Sequence, residues 1–350
     1  MDFVSRSFSF AEGDPTVVIG EVGVNHNGDP ELAFRLVEVA IDAGIDIVKF
    51  QVFKAEKEIS RFAALAPYQR ETSPHVSNQV ELCKPLELTP TTLRDIKHYC
   101  DTRNIGFLCS AFDVDSIDFL IDELNVKSLK IASGEVTNFP LLEYVGRRNV
   151  GVILSTGASN LMEVSGAVKT LKRAGCPELV LLHCVSSYPA PHNELNLRAI
   201  NTLRTEFGLP TGFSDHSMGI EAAVIATALG AVVIEKHFTL DRHMIGPDHL
   251  ASAEPDELKR MVDSVRLVNS VLGDGVKNLM PCERFNLPLI RRSLVANGNL
   301  HKGSFLTREM IEIKRPASGI DPRDLNDVIG RELACNVEDD RPLTWECLVH

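Results

Sequence analysis

Apolar positions along this chain follow two rhythms. Short runs rich in β-branched residues recur at strand length, and most are separated by longer stretches whose apolar residues lie three and four apart. The runs are PTVVIGEVG (15–23), IDIVKFQ (45–51), NIGFLCSAF (104–112), KSLKIASGE (127–135), NVGVILSTG (149–157), PELVLLHCVSS (177–187), LPTGFSDH (209–216) and AVVIEKHF (231–238). PELAFRLVEVAIDAG after the first run and LMEVSGAVKTLKRAG after the fifth carry the helical spacing, and EPDELKRMVDSVRLVNSVLG follows the last. Helix starts such as Asp29-Pro30 and stops such as Gly44, Gly175 and Gly230 fall where capping expects them. Eight strand–helix units in about 270 residues predict an α/β fold of the (β/α)₈ TIM-barrel type. An open doubly wound sheet competes, because periodicity does not report closure. No GxGxxG follows the first run, which weakens a dinucleotide-binding reading.

The C-terminal ends of these runs are polar. In order they offer Glu21, Lys49 with Gln51, Ser110, Lys130 with Ser133 and Glu135, Ser155 with Thr156, Ser186 with Ser187 and Tyr188, Ser214 with Asp215 and His216, and Lys236 with His237. In a barrel all such ends converge on one face, where active sites of this fold sit. Any single serine here has a plainer use, capping the helix that follows. The run VVIEKHF (232–238) makes the stronger case, because a charged triplet closing an apolar strand is costly to bury unless something pairs with it.

Composition narrows the function classes. The chain has 350 residues, 44% hydrophobic and 24% charged, with a formal net charge of −12. That charge argues against nucleic acid or an anionic membrane as partner, and no apolar stretch approaches membrane-spanning length. Eight cysteines without a CxxC pair or a disulfide-framework spacing read as reduced thiols in a cytoplasmic protein. An anionic small substrate stays open, provided local lysines hold it against the overall field.

Histidines at the ends of the seventh and eighth strands, His216 and His237, would be neighbours able to share one metal ion. Imidazole suits several divalent transition metals, and two protein nitrogens leave open positions for water and substrate, as Lewis-acid work on a carbonyl requires. His26 reads as a loop residue and His183 as mid-strand, so both are weaker candidates. Lys49, Lys130 and Lys236, with Ser133, Ser155 and Ser214, form a set suited to a phosphate and a carboxylate. A barrel lysine of depressed pKa would alternatively form a Schiff base with a ketone. Glu21, beside the eighth strand, is placed to take a hydrogen bond from metal-bound water or to pair with a lysine.

EVGVNHNGD (21–29), KFQ (49–51), LKIASGE (129–135), ILSTGAS (153–159), LLHCVSSYPAP (181–191), GFSDHS (212–217), IEKHFTLDR (234–242) and GPDH (246–249) together resemble the sialic acid synthase family of nonulosonate synthases. The tail RRSLVANGNLHKGSFLTREMIEIKRPASGIDP (291–322) looks like that family's SAF domain, the fold shared with type III antifreeze proteins. The resemblance covers nearly the whole chain. It implies condensation of phosphoenolpyruvate with an open-chain N-acetylated hexose to a nine-carbon 2-keto acid, with release of phosphate. It further implies a divalent metal on His216 and His237, manganese first with magnesium or cobalt as alternatives. Glu21 falls near the metal's water. Phosphoenolpyruvate contacts map to Lys49, Lys130, Ser133, Ser155, Ser186 and Ser214, with Lys49 and Lys130 in the catalytic set. Gln51, Glu135, Tyr188 and Asp248 look like sugar-side residues. Glu235, Lys236 and His237 all become functional strand-end residues, with His237 the ligand.

One departure concerns Ser186, a position that carries asparagine in some sialic acid synthases. The insertion FAALAPYQRETSPHVSNQVELCKPLEL (62–88) is closer, in its PYQ and NQVEL pieces, to the legionaminic and pseudaminic acid synthase branch. The domains expected are a barrel over 1–274, a linker over 275–285 and a small β-rich SAF domain over 286–350. Arg315 resembles the SAF-domain arginine that reaches over a neighbouring subunit's barrel, which implies a domain-swapped homodimer. Three rivals remain at this point. They are a metal-independent lysine Schiff-base aldolase using pyruvate, a phosphoenolpyruvate aldol enzyme acting on a simple sugar phosphate, and a non-catalytic sugar-binding protein.

Overall fold

A computed structural model describes residues 10, 13–65, 69, 70 and 76–349. Contacts divide the chain into two compact units, Met1–Gly273 and Asp274–His350.

The first unit contains strands β1 (Val17–Gly23), β2 (Ile47–Val52), β3 (Gly106–Ala111), β4 (Ser128–Ile131), β5 (Gly151–Ser155), β6 (Leu179–Cys184), β7 (Thr211–Asp215) and β8 (Val233–His237). Each pairs in parallel with the next and β1 pairs with β8, so the sheet is a closed barrel and the open-sheet alternative falls. Two strands stop earlier than their apolar runs. β4 ends at Ile131 because Ser133–Glu135 form a 3₁₀ turn, in which Glu135 N–H bonds to Ala132 O instead of a neighbouring strand. β6 ends at Cys184, leaving Ser186 and Tyr188 on the following loop.

The helices begin and end as their sequences dictate. In helix Pro30–Ala43, Asp29 accepts a hydrogen bond from Glu31 N–H, Pro30 starts the first turn, and Gly44 closes the helix at φ 79°. Leu32, Leu36 and Val37 on its inner face are buried, each contributing about 1.5–3 kcal/mol of transfer free energy. Helix Leu161–Ala174 has a reciprocal Asn160–Glu163 capping box and ends at Gly175, φ 101°.

Strand residues alternate between two cores. Val18, Val48, Phe107, Leu181 and Ile234 join the large core beneath the helices. Their neighbours Val17, Ile19, Ile47, Leu108, Ile153, Leu182 and Val233 form a separate buried cluster that fills the barrel.

The second unit pairs β9 (Ser293–Ala296) antiparallel with β10 (Ile311–Lys314), and isolated bridges such as Leu300↔Val337 and Leu333↔Leu348 extend it. Its own core includes Leu294, Leu306, Ile311, Val328, Leu333 and Leu343. Among the described residues no helix is long and apolar enough to cross a membrane.

Candidate active site at the barrel mouth

Register brings the polar strand ends level with one another. Glu21 lies opposite Lys49 on one side and His237 on the other. Ser110 is partnered by Gln51 and by Lys130, and Ser214 by Cys184 and Glu235. Because side chains alternate along a strand, Glu235 and His237 share one face of β8 while Lys236 takes the other. Lys236 therefore leaves the cationic set proposed from sequence. Its Nζ is buried 2.8 Å from Asp215 Oδ2 and donates to Ser217 O at 2.7 Å, and neither Lys236 nor Asp215 lines the mouth.

Glu235 takes the central place instead. Its Oε1 lies 2.9 Å from Lys130 Nζ and 3.3 Å from Lys49 Nζ, and it accepts a hydrogen bond from Ser214 Oγ at 3.0 Å. Lys49 also reaches Glu21 Oε2 at 2.9 Å, while Gln51 Nε2 donates to Glu21 Oε1 at 2.7 Å. All four charged groups are buried, so each depends on the others for the interactions that water no longer supplies. Burial alone would raise Glu235, but Lys130 and Lys49 outweigh it and hold the carboxyl below the usual range. Glu21 ends the other way. Burial raises it, and the attraction of Lys49 does not fully offset that. Lys49 is held above the ordinary lysine value, burial being outweighed by Glu21 and Glu235. Burial lowers Lys130 despite the attraction of Glu235.

The two strand-end histidines meet. Their ring centroids are 5.7 Å apart, inclined at 57°, and Tyr188 packs against both. His216 Nδ1 sits 2.7 Å from Val185 O, which fixes the proton there and leaves Nε2 as the lone-pair nitrogen, 3.2 Å from Tyr188 Oη and 3.3 Å from Ser214 Oγ. Burial lowers His216 to about 4 and drives His237 well below its ordinary value, with the neighbouring His216 adding to the second effect. Both rings are thus neutral near pH 7. His237 Nδ1 is buried without a hydrogen-bond partner, 3.9 Å from Asp248 Oδ2. Two neutral imidazoles, one with an orphaned nitrogen, fit a divalent metal. Among the described residues no cluster of three or more His, Cys, Asp or Glu side chains is arranged to hold one, so the protein's share would be two nitrogens.

The serines line the same cavity of about 180 Å³. Ser133 Oγ accepts from Gly157 N–H at 2.9 Å, and a Cβ at Gly157 would fall 2.3 Å from Ser186 Oγ, so only glycine allows this close approach. Ser155 Oγ is buried with no hydrogen-bond partner, a donor held ready for a ligand oxygen. A second cavity of about 190 Å³ shares Gln51, Tyr188 and His237 with the mouth and reaches Asp248. Burial, followed by the charge of Glu21, raises Asp248 to about 7. Glu135 lines neither cavity and accepts a hydrogen bond from Asn138 Nδ2 at 2.6 Å. Arg315 is an exposed residue just beyond β10 in the second unit.

His26 is buried in the turn after β1, where its Nδ1 accepts from Gly28 N–H at 3.0 Å, and His183 in β6 bonds to Leu195 O at 2.7 Å. His183 borders a larger cavity of about 710 Å³ whose walls, among the described residues, carry no lysine, arginine or carboxylate. Size and chemistry therefore point to different places, and the charges and orphaned donors favour the mouth. Of the pieces in the insertion after β2, Asn78–Leu82 are described and open the short helix Gln79–Cys83, whereas Pro67 and Tyr68 lie outside the described residues.

A closed parallel barrel whose mouth gathers paired histidines, a lysine–glutamate cluster and a serine cradle has its reactive groups where enzymes of this fold carry their active sites. The chain belongs to the NeuB family, whose model matches residues 36–277, and an SAF domain matches residues 291–349. It is 43% identical to the N,N'-diacetyllegionaminic acid synthase of Campylobacter jejuni, over 93% of this chain and 98% of that protein. The human N-acetylneuraminate-9-phosphate synthase is 35% identical, over 95% and 92% of the two chains. The crystal structure of the N-acetylneuraminic acid synthetase of Leptospira borgpetersenii superposes with a TM-score of 0.70 at 37% identity, covering 78% of this chain and 90% of that one. Nonulosonate synthesis is thus the activity class of its relatives, as the sequence resemblance implied.

Proposed function

We propose that the chain condenses phosphoenolpyruvate with an open-chain N-acetylated hexose, giving a nine-carbon 2-keto sugar acid and phosphate. The observation that carries this reading is the meeting of neutral His216 and His237 beside the Lys49–Lys130 pair and the orphaned Ser155 hydroxyl. Lys49, Lys130, Ser133, Ser155, Ser186 and Ser214 hold the phosphate and carboxylate so that the alkene carbon faces the aldehyde. Orientation of this kind is worth about 7–11 kcal/mol in well-positioned systems. A divalent metal on His216 and His237, manganese first and magnesium or cobalt otherwise, would supply Lewis-acid polarisation of the aldehyde.

The C3 carbon of phosphoenolpyruvate bonds to the aldehyde carbon as the C=O π pair moves to oxygen, water adds at C2, and the C2–O bond to phosphate breaks as the ketone forms. Of the water's two protons, one ends on the aldehyde-derived oxygen and the other leaves with phosphate. Glu21 takes the first of those protons at Oε2, the oxygen that Gln51 does not bond and that lies 2.9 Å from Lys49 Nζ; its raised pKa makes it the stronger base of the two glutamates. Gln51, Tyr188 and Asp248 bound the sugar side, with Glu135 at its margin. N-acetylmannosamine and 2,4-diacetamido-6-deoxy hexoses are the candidate sugars, and the higher identity to a legionaminic acid synthase supports the latter. Arg315 would complete the sugar side from a neighbouring subunit in a domain-swapped homodimer.

The rival is a Schiff base between pyruvate and Lys130, whose burial lowers its pKa. Phosphate release from phosphoenolpyruvate, measured with a panel of these sugars in manganese and in chelator, separates the two. Metal-dependent release with one sugar is expected. Absence of release with every sugar, together with a borohydride-trapped pyruvate adduct, would move the chemistry to Lys130.

A further inference from the structure

We propose that Glu58 selects the far end of the sugar, admitting a neutral hexose with apolar substituents and rejecting one that carries a phosphate there. This inference rests on the condensation reading above. With the aldehyde at the histidine pair, the remainder of the sugar extends into the second cavity, which shares His237, Gln51 and Tyr188 with the mouth.

The remaining walls of that cavity are apolar on one side and acidic on the other, with Gln69 and Cys83 completing the lining. Val24, Phe53 and Leu86 belong to a small buried apolar cluster separate from the barrel core, and Leu82 and Pro247 add to the same lining. Glu58 and Asp248 supply the acidic side, and no lysine or arginine among the described residues lines the space. Glu58 ends the single helical turn Ala55–Glu58 that follows β2. The charges acting on its carboxyl are those of Glu135 and Asp113, and the Cys83 thiol nearby responds to Glu58 and Asp248 together. Glu58, an exposed side chain, thus makes its part of the cavity acidic, whereas Lys49 partly offsets Asp248 beside the histidine pair.

The contrast with the mouth is chemical. There, anionic oxygens would meet Lys49, Lys130 and the serines. A phosphate on the distal carbon of the sugar would instead face the Glu58 and Asp248 carboxyls, with no lysine or arginine among the described residues on the walls to receive it, and unfavourable charge of that kind is how a site rejects a competing substrate. A deoxy carbon or an acetamido methyl suits the apolar wall, and an amide N–H or hydroxyl can donate to Glu58.

The test uses the full-length protein, Glu58→Lys and Glu58→Gln, with phosphate release measured for N-acetylmannosamine, its 6-phosphate and a 2,4-diacetamido-6-deoxy hexose. The wild type is expected to favour a neutral sugar over the 6-phosphate by about 100-fold or more in kcat/KM. Glu58→Lys should narrow that ratio by about tenfold or more while KM for phosphoenolpyruvate stays within about twofold. Glu58→Gln should raise KM for the neutral sugar by about 3–10-fold with a smaller change in kcat, and it carries the test alone if the lysine variant does not fold. A wild type that prefers the 6-phosphate overturns the proposal, and so does a folded variant with an unchanged sugar profile. Failure of the wild type to release phosphate with any sugar would instead sink the condensation reading, and this inference with it.

Discussion

The lower interior of the barrel and its mouth are built by the same strands, two residues apart, yet they solve opposite problems. Ile19 precedes Glu21, Ile47 precedes Lys49, Leu108 precedes Ser110, Ile153 precedes Ser155 and Val233 precedes Glu235. Below, the side chains exclude water and fill space. Above, buried charges remain because each has a partner within reach: Lys130 and Lys49 at Glu235, and Lys49 again at Glu21. A change below should cost stability and spare chemistry, whereas a change above should cost chemistry first.

The sharpest way to break that comparison is at His237. His237→Ala should lower phosphate release by about 10³-fold or more while leaving thermal unfolding nearly unchanged, since the ring bounds a cavity. Retained activity in metal-free buffer would remove His237 as a ligand. Glu235 tests whether the mouth is truly a set of paired charges. In Glu235→Gln, Lys49 and Lys130 lose their shared anion, and breaking a buried pair costs about 3–5 kcal/mol, readable in urea unfolding. Phosphoenolpyruvate should restore more stability to this variant than to the wild type, because its phosphate replaces the missing charge. An unchanged unfolding midpoint would mean that water already screens the cluster.

Leu108→Ala probes the lower half. A loss of about 2–5 kcal/mol is expected, with kcat/KM of the folded enzyme held within about twofold. A large loss of activity would show that the two halves are coupled. Ser155→Ala is a milder change. Its hydroxyl bonds to nothing within the described protein, so stability should hold while KM for phosphoenolpyruvate rises by about 5–10-fold, equivalent to about 1–1.5 kcal/mol. A stability loss without a KM change would assign Ser155 to the core.

The smallest effect is a pH dependence at Glu58. Burial, with Glu135 and Asp113 adding to it, raises its carboxyl from 4.5 to about 7. Between those values the folded state binds more protons than the unfolded chain. The stabilising contribution of protonated Glu58 is therefore present below pH 4.5 and lost as pH rises through 7. Glu58→Gln should gain on the wild type in unfolding free energy between pH 5 and 8, by about 1 kcal/mol or less because solvent screens the exposed side chain. A constant difference across that range would place the carboxyl in water.

Much of this was legible beforehand. Short apolar runs rich in β-branched residues marked the eight strands, and the polar residues closing them predicted a crowded barrel mouth. His216 and His237 were identifiable because both sit at strand ends, where neighbouring strands bring them together. Glu235 was visible as part of a charged triplet, but its central role was not. Alternation alone would have separated it from Lys236, had the face been counted from His237. Glu58 gave no signal in the chain, since it lies on a single turn of helix in a loop and gains its setting from Glu135, Asp113 and the Val24–Phe53–Leu86 cluster.

Sequence by itself determined the strand count, the helix caps and the inventory of chemical groups, because these depend on residues near one another along the chain. Closure of the barrel through β1 and β8, the sharing of Glu235 by two lysines and the second cavity beside His237 were decided only by tertiary structure. Each joins residues from distant segments, and a buried charge takes its partner and its pKa from whatever the fold places within a few ångströms of it.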